Sequence, residues 1–152
     1  MDPTFKYIDE FSVLGLQTRV KQGLETPELF AGIWAGFEVH RELIGSVSTR
    51  KNYYGINFPT ETEDFSAYLA GMAVAADSPV TEGLVKRKVP GGMYAIFECP
   101  VEGIGECYQW IFTKWLPAAN VPFNPVNPVF EEYPGENSGL PVRIYIPVTK
   151  PA

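Results

Sequence analysis

The 152-residue chain has room for one compact domain with a substantial core. Its 45% hydrophobic and 20% charged composition excludes collagen-like, disordered and membrane-spanning classes, since no apolar run approaches the roughly 18 residues of a membrane helix. Eighteen acidic against twelve basic residues leave a formal charge of −6, which repels phosphate backbones and argues against direct nucleic-acid binding.

The opening "FKYIDEFSVLGLQTRV" reads as one extended strand up to Val20. Its first residues lack the basic and apolar regions of a secretory signal, so a cytoplasmic location is expected. Thr26, Pro27 and Glu28 supply an N-cap hydroxyl, a first-turn proline and a first-turn acid. Phe30, Ile33, Trp34, Phe37, Arg41 and Ile44 then recur at helical spacing, predicting a helix over 27–44 that Gly45 ends. "NYYGINFP" (52–59) and "FSAYLAGMAV" (65–74) follow as strands, and "ADSPVTEGLVKRKVPGG" reads as a linker.

The pattern then restarts. "MYAIFECP" (93–100) is a strand, and "GIGECYQWIFTKWLP" (103–117) is a helix with Tyr108, Ile111, Phe112 and Trp115 on one stripe. "NPVFEEYP" and "PVRIYIPV" are strands joined by a turn in "GENSGL". The whole is an α+β chain, a single domain over 1–152 made of duplicated β-α-β-β units, about 5–77 and about 84–150. Two such units predict pseudo-two-fold symmetry, an antiparallel sheet with two main helices and a central ligand groove.

Aligning Pro59 with Pro134 sets Ile56 against Glu131 and Asn57 against Glu132. Glu131 then occupies the apolar-type face and Glu132 an ordinary solvent-facing one. A carboxylate among apolar neighbours costs several kcal/mol unless it is paired or its pKa rises. Arg143, Tyr145 or a cation from solution would compensate it. Cys99 and Cys107 read as two reduced, buried thiols rather than a disulfide. With His40 the only histidine, no metal cluster and no cofactor motif can be assembled. His40 itself sits near a helix end and needs no role beyond solvation.

The order and spacing of "VPGGMYAIFECP", "KWLP", "PVFEEY" and "VRIYIPV" resemble the GyrI-like small-molecule-binding domains, which also serve as effector domains of AraC- and MerR-type multidrug regulators. The resemblance covers about 5–149 and implies bulky, cationic aromatic ligands held in a groove by aromatic walls and one glutamate. Its P-x-x-E-x-Y pattern assigns that glutamate to Glu131. The lining expected around it is Tyr145, Trp34, Phe37, Tyr54, Phe97 and Trp110. Trp34 and Phe37 are otherwise core, Tyr54 and Phe97 share that ambiguity, and Trp110 either faces solvent or crosses the groove. Trp115 is read as structural. No helix-turn-helix segment fits within the chain, so any DNA binding would come from a partner or a fused relative. Two other roles stay open: a cofactor-independent hydrolase that opens cyclopropane rings with Glu131 activating water, and a protein-interaction role such as topoisomerase modulation.

Overall fold

The computed structural model describes residues 2–135 and 139–149. Eight strands form one antiparallel sheet: β1 (Thr4–Ile8), β2 (Phe11–Lys21), β3 (Ser48–Pro59), β4 (Phe65–Val74), β5 (Val85–Val89), β6 (Gly92–Cys99), β7 (Val129–Tyr133) and β8 (Val142–Pro147). Their order is β1-β6-β8-β7-β3-β4-β2-β5. The β3–β7 seam lies at the centre, and each side repeats the same neighbours outward. The unit β2-helix-β3-β4 therefore mirrors β6-helix-β7-β8 across it.

Helix α1 (Pro27–Glu38) begins as its sequence dictates, with the Thr26 hydroxyl accepting from the Leu29 N–H at 3.1 Å and Pro27 in the first turn. It does not run through to residue 44. At Val39 and His40 the chain makes a tighter turn, His40 N–H bonding the Phe37 carbonyl at 2.8 Å, and α2 (Arg41–Val47) follows and leads into β3. Helix α3 (Ile104–Trp110) continues as a π turn (Ile111–Trp115) and a last α turn (Leu116–Ala118). No helix among the described residues is long and apolar enough to cross a membrane.

The sheet curls, so its two faces bury different things. Phe11, Val13, Tyr54, Ile56, Phe58, Tyr94, Phe130 and Tyr145 fill the inner face, with Ile8 and Val85 from both edge strands closing on the same cluster. On the outer face, α1 and α2 cover Leu14, Val20, Ile33, Phe37 and Ile44, while α3 covers Phe97, Cys107, Ile111 and Ile144.

Three further sequence expectations change. The first strand is two, β1 and β2, and the supposed linker contains β5. The basic run of β5 disguised it, yet an edge strand bearing charges is how sheets keep their edges from pairing with other chains. Cys99 and Cys107 are joined as a disulfide, tying the end of β6 to α3, where reduced thiols were expected. The "GENSGL" turn falls partly on residues 136–138, outside the described residues.

Candidate functional site

Register decides which side chains share a face. In the β3–β7 pair Gly55 faces Glu131, Tyr53 faces Tyr133 and Asn57 faces Val129. Glu131 thus stands on the outer face beneath the helices, and Ile56 stands on the inner one. The proline alignment is therefore one residue out of step, and one residue is enough to exchange the faces. The position across the seam from Glu131 is Gly55, where a Cβ would meet the Tyr68 hydroxyl and come within 2.6 Å of Glu131 Oε1. The missing side chain makes the room the carboxylate occupies.

Glu131 is 5% exposed, and three phenols converge on it from three elements. Tyr68 of β4 donates to Oε1 at 2.8 Å, Tyr133 of β7 donates to Oε1 at 3.3 Å, and Tyr108 of α3 donates to Oε2. The Trp34 indole N–H of α1 donates to the Tyr68 hydroxyl at 3.2 Å, extending the network to the first helix. Burial pushes the Glu131 carboxyl above the usual carboxylate range, and the phenol hydrogen bonds from Tyr108, Tyr68 and Tyr133 oppose that rise. Burial and the adjacent Glu131 charge raise all three phenols well above the ordinary tyrosine range, so they remain protonated donors.

A cavity of about 660 Å³ opens onto this carboxylate between α1 and α3. Phe30 and Trp34 form its α1 wall, Ile104, Tyr108 and Phe112 its α3 wall, and Tyr68, Glu131, Tyr133 and Asn57 its floor, with Glu25 and Thr26 at the edge. Among the described residues that line it, the carboxylic acids are Glu131 and Glu25, and none is a lysine, arginine or histidine. Those residues make an aromatic chamber with one desolvated acid and no fixed counter-charge.

The expected lining is redistributed. Trp34 is in place. Phe37 packs edge to face on Trp34 at 5.3 Å and lines a neighbouring cavity instead. Phe97 is fully buried under α3 against Trp115 at 4.9 Å, and Trp110 packs on Phe97 at 6.3 Å rather than crossing the groove. Tyr54 and Tyr145 lie on the inner face, where their hydroxyls donate to Glu132 at 2.6 and 3.0 Å. Tyr145 is thus not a partner of Glu131; the residue opposite Glu131 on β8 is Ile144. Glu132 is no ordinary surface acid either, having those two phenols and the Arg143 guanidinium at 3.9 Å. Burial and the Glu132 charge push the Tyr145 phenol up to about 12.

Sequence reasoning missed Tyr68 and Tyr133 as partners of Glu131. Tyr133 was findable, since it shares the alternation of Glu131 along β7. Tyr108 was seen on its helical stripe but had no signal linking it to a strand 23 residues away. Tyr68 required the β3–β4 register.

Residues 4–148 match the family model named Cass2, described as integron-associated effector binding protein. No curated protein matches the chain by sequence. Among solved structures, SAV2435 bound to tetraphenylphosphonium aligns with a TM-score of 0.76 at 13% identity, over 98% of this chain and 94% of that one. The integron cassette protein VCH_CASS2 from the mobile metagenome of Vibrio cholerae aligns at 0.70 and 20% identity, over 97% and 95%. The C-terminal domain of EcmrR aligns at 0.63 and 15% identity, over 97% of each chain. At such identities the likeness is one of fold.

Proposed function

The chain belongs to the Cass2 family of integron-associated effector-binding proteins and has the GyrI-like fold, and from that premise we propose that it binds bulky lipophilic cations between α1 and α3, with Glu131 as the counter-ion. The observation that carries this reading is the buried carboxylate facing an aromatic chamber of about 660 Å³ with no basic side chain among the described residues that line it. A ligand cation supplies the missing charge. Aromatic faces add cation–π attraction of about 0.5–2 kcal/mol for each good contact. Neutral molecules of the same shape forgo the charge term, and anions meet Glu131 and Glu25. Few polar groups fix orientation, so the site tolerates varied shapes and suits drug sensing or sequestration. That a structural neighbour was solved with tetraphenylphosphonium agrees with this chemistry.

The test is a crystal of the protein with tetraphenylphosphonium. The phosphorus is expected beside Glu131 with phenyl rings against Trp34 and Tyr108; a ligand seated elsewhere would contradict the assignment. One observation also suits a hydrolase, since burial raises the Glu131 carboxyl as a general base requires. Incubating a cyclopropane-bearing alkylator with the protein separates the two, because a binder returns it unchanged and a hydrolase yields a ring-opened product.

A further inference from the structure

The aromatic chamber does not end at Trp34. Beyond the indole lies a second cavity of about 280 Å³, lined by Trp34, Phe37, Glu38, Tyr53 and Tyr133. Trp34 and Tyr133 are therefore the wall common to both cavities. Their rings meet edge to face at 5.5 Å.

The two halves of that wall are held differently. Tyr133 rides on a central strand and is tied to Glu131. Trp34 is half-buried on a helix and is held by the 3.2 Å bond to the Tyr68 hydroxyl and by ring-edge contacts with Phe37 and Tyr133. Rotating the indole costs one long hydrogen bond and two edge contacts, and leaves the strands untouched.

We infer that Trp34 is a movable partition, and that swinging it joins both cavities into one slot for elongated aromatic cations, the positive end at Glu131 and a neutral aromatic end against Phe37 and Tyr53. The inference rests on the cation-binding reading above and adds a rule for ligand length.

The experiment compares wild type, Trp34→Ala and Trp34→Phe with two probes: tetraphenylphosphonium and a long styrylpyridinium dye. Removing the indole should raise the affinity ratio of long dye to tetraphenylphosphonium by about tenfold. Trp34→Phe, which keeps a ring but loses the N–H latch, should speed association of the long dye more than that of tetraphenylphosphonium, whose rings also rest on residue 34. An equal change for both lengths overturns the inference. A neutral pair, stilbene and triphenylphosphine oxide, reads length without charge. If charge preference is absent while the Trp34→Ala length shift persists in this pair, the cation reading falls and the partition stands. If the length shift is absent from both pairs, the partition falls.

Discussion

A carboxylate keeps a place inside a sheet only where something makes room for it and something donates to it. Gly55 makes the room and three phenols donate. Gly55→Ala puts a methyl against the Tyr68 hydroxyl and Glu131 Oε1, and the strain should cost about 1–3 kcal/mol of stability by denaturant melt. Its affinity for tetraphenylphosphonium should also fall, because Tyr68 and Glu131 are displaced together. Glu131 should give the protein a specific pH response. Its folded pKa lies above the unfolded value of about 4.3, so its contribution to stability is full below that value and is lost as pH rises through the folded pKa. The ligand-free melting temperature should therefore decline across that window and then level off, and Glu131→Gln should remove that decline. Cation affinity should run the other way, rising across the same window as the carboxyl ionises.

At the scale of elements, α3 matters because it brings Tyr108 to Glu131 on β7, the next strand of its own unit. The disulfide between Cys99 and Cys107 pins α3 one residue before Tyr108. In the chain-entropy view, closing so short a loop contributes about 2–3 kcal/mol. A thiol reductant, or the pair Cys99→Ala and Cys107→Ala, should lower the melting temperature and weaken cation binding; unchanged binding would show that α3 holds Tyr108 without the tie. The elements also show what the sequence could convey. Thr26-Pro27-Glu28 marked the start of α1 because capping is local chemistry. The break at Val39–His40 carries no proline or glycine to announce it. Tyr145 was assigned to the wrong face because strand adjacency was legible and register was not. Adjacent residues on a strand point to opposite sides, so the same step separates Glu131 from Glu132 and Tyr145 from Ile144.

Over the whole molecule, the curled sheet with helices on its outer face follows from the doubled strand-helix-strand-strand pattern, which the composition and periodicity carried well. The two-fold arrangement holds in strand order, and the site departs from it. Beside the central seam one half offers a glycine and the other a glutamate. The net charge of −6 draws cations toward the protein from a distance, while the proposed selection rests on a carboxylate that water scarcely reaches. Salt should therefore slow cation association far more than it speeds dissociation, because exposed charges are screened over about 8–10 Å at ordinary ionic strength and buried pairs are screened much less. Stopped-flow rates across a salt series would check that division; a dissociation rate that rises as steeply as association falls would place the governing charge at the surface.

The central claim is that one buried charge selects the ligand, and it reduces to calorimetric binding of tetraphenylphosphonium and neutral triphenylphosphine oxide to wild type and Glu131→Gln. The account predicts that the substitution weakens the cation by about tenfold or more, the scale of a lost charge-assisted contact, and leaves the neutral compound nearly unchanged. Equal losses for both compounds, or none for the cation, would contradict it.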